Sequence, residues 1–167
     1  MNILGVDPGL SLTGWGMVAA KDRNTVSLLE YGCIKTTPAL PLTERLKIIY
    51  HTLEDIISRH HPEVMAIEEL FFSKEAKTVA AVSQARGVIL LSAAQHGLPV
   101  SEYNPRHVKM SLTGYGSADK NQIQQMVKVL LRLSDIPRPD DAADALAIAI
   151  CHTQYSSVNP LLKNYRK

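Results

Sequence analysis

The sequence predicts an α/β protein with a mixed five-stranded sheet flanked by helices. The order of its periodicities carries that prediction. Three β-like segments come first, then helix, strand, helix, strand and further helices. Successive strands followed by strands that alternate with helices give a sheet of mixed direction, with helices on its faces. A second observation concerns acids fused to apolar runs. Asp7 closes NILGVD, Glu68 and Glu69 follow VMAI, and Asp140, Asp141 and Asp144 open DDAADALAIAI. Carboxylates at the ends of core segments are costly to bury unless a cation neutralises them. Oxygen-only ligands of this kind suit Mg²⁺ or Mn²⁺.

The elements follow in order. Ile3 to Val6 form an apolar, β-prone run that stops at the turn signal Asp7-Pro8-Gly9. LTGWGMVAA is a second strand with small residues, Asp22-Arg23-Asn24 a turn, and TVSLLEYGCIKT a third strand. Thr43 is the expected N-cap of the first helix. Leu46, Ile49, Tyr50, Leu53, Ile56 and Ile57 make one apolar face of that helix, and Pro62 closes it. Val64 to Ile67 has the length and flanks of a buried strand. From about Glu75 to His96 the chain is Ala-rich and helical until Gly97-Leu98-Pro99. Val100 to Tyr103 is the fifth strand. Asn104-Pro105 restarts a short helix bearing His107 and Lys109, and Gly114 to Ser117 breaks it. Ile123, Met126, Val127, Leu130 and Leu131 mark another helix. Pro137 and Pro139 introduce the last, from near Asp140. Trp15, Tyr50 and Tyr103 are expected in the core or on a sheet face. His60 and His61 suit a helix C-terminus.

A length of 167 residues and an apolar fraction of 46% fit one domain over 1–155. The remainder, 156–167, is a polar basic tail and a candidate for disorder. Two cysteines, Cys33 and Cys151, without a CxxC pair argue against a disulfide framework or a zinc site. No apolar stretch is long enough to span a bilayer, and MNILGVDPG enters a strand without a charged leader. A cytoplasmic protein without membrane attachment is therefore expected. The net charge of +2 conceals a division. Residues 1–71 carry −3 and residues 72–138 carry +5, so acidic clusters bracket a basic middle. That distribution suits metal at the acids and a polyanion over the bases, although a mixed solvated surface would look the same.

Each acid also has an ordinary explanation. Asp-Pro-Gly is a good turn, and Asp caps helices. Glu68 is harder to explain in that way, because a core strand runs straight into it. Strand alternation sends Glu68 and Glu69 to opposite faces, so only one of them can join Asp7. On the last helix, Asp141 with Asp144 and Asp140 with Asp144 both share a face, and spacing does not choose between the pairs.

ILGVDPGLSLTGWG, AIEELFFSK, SQARGVILLSAA, VKMSLTGYGSADKNQIQQMV and DDAADALAIAI together resemble a RuvC-type Holliday junction endonuclease, over residues 2 to about 152 in family order. The resemblance implies an RNase H-like fold, a homodimer, and cutting of four-way DNA junctions with two Mg²⁺ per active site, Mn²⁺ being a possible substitute. It implies Asp7, Glu68, Asp141 and Asp144 as catalytic and metal-binding carboxylates. It matches Lys109 and Lys120 to lysines near the scissile strand, and Phe71 to an aromatic that stacks on an exposed base, worth ~1–3 kcal/mol. Lys74, Lys77 and Arg106 are further candidate phosphate contacts. Solvated lysines and a core Phe71 are the plainer alternatives. The RuvA–RuvB branch-migration complex is the expected protein partner. Competing functions are a resolvase-like ribosomal RNA processing nuclease, an actin-like ATPase or sugar kinase, and a junction-binding protein without catalysis. The Ala-rich helix is apolar on more than one face, through Val79, Ala80, Val82, Val88, Ile89, Leu90 and Leu91, leaving a surface for a second copy.

Overall fold

The computed structural model describes residues 1–22, 25–69 and 76–156. Phe71, Phe72, Lys74, part of the Asp22-Arg23-Asn24 turn and nearly all of the 156–167 tail lie outside the described residues. The chain runs β1 (Asn2–Asp7), β2 (Leu12–Ala20), β3 (Val26–Lys35), α1 (Leu42–His60), β4 (Val64–Glu68), α2 (Ala76–Gln95), β5 (Val100–Tyr103), α3 (Pro105–Thr113), α4 (Lys120–Leu130) and α5 (Asp140–Ser156). The five strands lie in the order β3-β2-β1-β4-β5. β1 to β3 form an antiparallel meander, while β4 is parallel to both β1 and β5. The expected mixed sheet flanked by helices is the observed one.

Strand alternation divides the core in two. Ile3 of β1 and Val64 and Ala66 of β4 face α3, α4 and α5, where they meet Val108, Leu112, Ile123, Val127 and the apolar run of α5. Leu4, Val6, Met65 and Ile67 face the other way, onto Ile49, Leu53, Ile56 and Ile57 of α1 and Ala85, Ile89 and Ala93 of α2. Trp15 and Tyr103 are buried as expected. Tyr50 is half-buried and its hydroxyl donates to Gln95. His60 pairs with Glu30 at 2.6 Å, and His61 ends α1 in the left-handed conformation.

One expected detail is wrong. Thr43 is not the cap of α1: the helix begins at Leu42, Pro41 occupies the N-cap position, and no side chain caps it. The fixed φ of proline sets the entry, and the Arg45 N–H donates to the Pro41 carbonyl at 3.1 Å, so the helix starts two residues early. The other starts follow their sequences. Asn104 accepts from the His107 N–H at 2.9 Å. Asp119 and Gln122 cap α4 reciprocally, so the residue after the cap, Lys120, stands in a defined place.

The α5 layer approaches the sheet unusually closely. A methyl group on Gly5 would overlap the carbonyl of Ala145, one on Gly14 the carbonyl of Asp141, and one on Gly16 the side chain of Leu146. Gly5 pairs with Gly16, and Asp7 pairs with Gly14. The missing side chains let the α5 backbone rest on β1 and β2, with Ala142, Ala145 and Ala149 fully buried.

Candidate active site

The C-terminal ends of β1 and β4 are neighbours. Val6 pairs with Ile67, so Asp7 and Glu68 emerge side by side. By alternation Asp7 shares a face with Ile3 and Gly5, and Glu68 with Val64 and Ala66. That is the face covered by α5. Glu69 lies beyond the strand, is exposed, and donates its N–H to the Tyr103 carbonyl at 2.8 Å. The register thus puts Glu68, and not Glu69, on the face shared with Asp7.

The Gly14 contact sets the first turn of α5 against the same strand ends. A cavity of about 220 Å³ opens there, and its polar lining is Asp7, Glu68, Lys109, Lys120 and Asp144. Its apolar floor includes Val108, Ile123 and Ile148. Asp141 does not line the cavity. Its carbonyl lies against Gly14 of β2, and its charge acts on Asp7, Asp144 and Cys33 of β3, whereas Asp144 acts on both Asp7 and Glu68. Asp140 lies outermost, 40% exposed and paired with Arg138.

Crowded acids in a half-buried cleft resist ionisation. The Asp7 carboxyl is pushed up to about 8, first by burial and then by the charges of Glu68, Asp144 and Asp141; Lys120 offsets part of this. Burial and Asp144 raise Glu68. Burial also raises Asp144, against the hydrogen bond and charge of Lys120. The Lys120 ammonium stands 3.0 Å from Asp144 Oδ2 and 3.6 Å from Asp140 Oδ2. Burial works against its charge, but Asp144 and Asp140 outweigh that and raise it.

Among the described residues, no three His, Cys, Asp or Glu side chains are gathered tightly enough to count as a formed metal site. The donor set still fits a divalent cation. It is all carboxylate, it is partly desolvated, and it contains more negative charge than Lys120 can balance.

Lys109 and Arg106 sit on α3. A second cavity of about 300 Å³ is lined by Asn104, Pro105, Arg106, Lys109 and Gly116, so Lys109 borders both spaces. Arg106 belongs to the second only. Arg86 is not among the residues expected at the site. It lies on α2, and its Nη2 meets Glu102 Oε2 at 2.5 Å while its Nε donates to the Glu68 carbonyl at 3.4 Å. A single charge within the otherwise uncharged run from Thr78 to Gln95 was the available signal.

This sheet order, β3-β2-β1-β4-β5 with β1 to β3 an antiparallel meander, is that of an RNase H-like fold. A family model described as crossover junction endodeoxyribonuclease RuvC matches residues 3–152. The chain is 60% identical over 152 residues to a crossover junction endodeoxyribonuclease RuvC of Endomicrobium trichonymphae, covering 91% of this chain and 80% of that one. It superposes on T. thermophilus RuvC in complex with a Holliday junction substrate with a TM-score of 0.91 and 38% identity, covering 95% of this chain and 96% of that one. The fold is shared with the yeast mitochondrial Holliday junction resolvase Ydc2, at a TM-score of 0.61 and 16% identity over 98% of this chain and 82% of that one. The chain belongs to the crossover junction endodeoxyribonuclease RuvC family.

Proposed function

We propose that this crossover junction endodeoxyribonuclease resolves four-way DNA junctions by paired, symmetric nicks, using Asp7, Glu68, Asp141 and Asp144 as its catalytic carboxylates. The observation that carries the reading is the convergence of three distant acidic segments on the face of the sheet covered by α5. These four residues would hold two Mg²⁺, with Mn²⁺ able to substitute. Such ions supply Lewis-acid polarisation of a phosphate and a lowered pKa for water. Water adds to phosphorus and the bond to the 3′ oxygen breaks, leaving a 5′-phosphate and a 3′-hydroxyl.

The chain's own residues position the DNA. Lys109 and Lys120 meet the scissile strand as it enters the cavity. Lys120 exchanges its contact with Asp144 for one with phosphate, freeing that carboxylate to act as a ligand. Arg106 extends the basic surface along the neighbouring cavity, Lys74 adds a further phosphate contact, and Phe71 stacks on a base at the junction centre. Phosphate contacts fix register and carry most of the affinity.

Two opposed nicks need two sites related by a two-fold axis, so the working unit is a homodimer. Leu91 on α2, 52% exposed, supports an interface on that helix. Among the described residues no helix is long and apolar enough to cross a membrane. The proposed setting is the cytoplasm, in recombination and repair, with the RuvA–RuvB branch-migration complex as partner. A mobile junction labelled in turn on each strand tests the reading. Divalent-metal-dependent nicks at symmetric positions in opposite strands, with 5′-phosphate ends, are expected. Cutting in only one strand, or cutting without a divalent metal, would refute it.

A further inference from the structure

The Arg86 guanidinium lies on the α1–α2 side of the sheet, opposite the acidic cleft. It is 12% exposed and carries the positive charge on a helix face that otherwise buries Ala85 and Ile89. Its position is held from two directions. Nη2 meets Glu102 Oε2 at 2.5 Å, and Glu102 pairs across the ladder with Ile67. Nε donates to the carbonyl oxygen of Glu68 at 3.4 Å. A cation this enclosed keeps its place because its planar fork has fixed acceptors.

The Glu68 carbonyl lies at the last residue of β4, which still pairs with Tyr103 of β5. Beyond it, the Glu69 N–H bonds to the Tyr103 carbonyl. β1 reaches only as far as Ile67 in its pairing with β4. The last peptide of β4 is therefore held at its N–H by β5 and at its carbonyl by Arg86, and without Arg86 its carbonyl end keeps no partner that limits rotation about the strand end. Rotation there would swing the Glu68 side chain on the opposite face, because the carbonyl and the side chain share one backbone.

We propose that Arg86 is a positioning residue: bridged to Glu102, it anchors the last peptide of β4 and so fixes where the Glu68 carboxylate stands in the acidic cleft. This rests on the reading that Glu68 is a metal-binding carboxylate. Outer partners that orient a ligand typically alter metal affinity about tenfold or more when removed.

The test uses Arg86→Met, which keeps the stem and removes both contacts, with Glu68→Gln and the double variant alongside. Mn²⁺ binding is measured calorimetrically without DNA, and the Mg²⁺ dependence of single-turnover cutting is measured at saturating junction. Arg86→Met should weaken Mn²⁺ binding and raise the half-saturating Mg²⁺ by about tenfold, with metal-free junction affinity unchanged. In the Glu68→Gln background it should weaken Mn²⁺ binding no further. Should Arg86→Met fail to fold, Glu102→Gln, whose side chain is 48% exposed, reports the same loss in weaker form. A folded variant with unchanged Mn²⁺ affinity and Mg²⁺ midpoint overturns the proposal, as does a full additional loss in the Glu68→Gln background. Normal cutting by Glu68→Gln would instead refute the reading beneath it.

Discussion

The two faces of the sheet are built from the same strands and solve opposite problems. Toward α1 and α2, large aliphatic side chains such as Leu4, Met65, Ile49 and Leu53 fill the space between sheet and helices. Toward α5, glycine and alanine remove that space, and backbone meets backbone. The first face is held by volume, the second by closeness. Only the second could bring the first turn of α5 within electrostatic range of Asp7. The site thus depends on what the strands lack as much as on what they carry.

The largest effect should come from the acids. Asp7→Asn, Glu68→Gln, Asp141→Asn and Asp144→Asn should each lose several kcal/mol of transition-state stabilisation, roughly a thousandfold in rate, with junction binding retained. Parallel gel-shift and cutting assays check this, and normal cutting by any one variant removes that residue from the site.

The contrast between faces predicts two kinds of core mutant. Leu53→Ala should cost about 2–5 kcal/mol of stability yet leave cutting per folded molecule unchanged. Gly5→Ala should cost about 1–3 kcal/mol by overpacking and also lower cutting, because it lifts α5 from the strand. Denaturant melts alongside rates per folded molecule separate the two. Equal catalytic losses in both would erase the distinction.

The metal-free protein should also respond to pH through Asp7. Its carboxyl rises from the usual 3.8 to about 8 in the fold, so the folded state holds a proton that the unfolded state releases. Its contribution is present below 3.8 and is lost as pH rises toward and through about 8. Stability of the metal-free form should therefore fall over that window, Asp7→Asn should flatten the slope, and added Mg²⁺ should restore stability at the alkaline end. Thermal melts across pH, with and without Mg²⁺, measure this.

Smaller effects should come from the rim. Lys109→Ala and Lys120→Ala should weaken phosphate contact without unfolding, each reducing the salt dependence of junction affinity by about one unit of slope. Glu69→Gln should be close to silent, since its side chain is not on the α5 face. Inactivation by Glu69→Gln with a normal Glu68→Gln would show the strand parity to be reversed.

Much of this was legible because strands have a period of two. Given VMAIEEL, that period alone separates Glu68 from Glu69, and the apolar runs place Asp7 and Glu68 at strand ends. The choice between Asp140 and Asp141 was not legible from spacing, since helical offsets of three and four share a face. It was made by resemblance; in the fold the Asp141 carbonyl lies against Gly14, while Asp140 pairs with Arg138 and Lys120. Thr43 misled because a local capping preference yielded to the rigid Pro41 beside it. Arg86 was overlooked because its acceptor on β4 is a backbone oxygen, which leaves no mark in a sequence.

The position of α5 also bears on how the protein is made. Asp7 and Glu68 leave the ribosome early, but their partners stand at 141 and 144, in the first turn of α5. A nascent chain, or one truncated before α5, has two of the four acids and an uncovered sheet. On the reading proposed above, such a fragment cannot cut DNA, so nuclease activity arises only once α5 has been synthesised and packed onto the sheet.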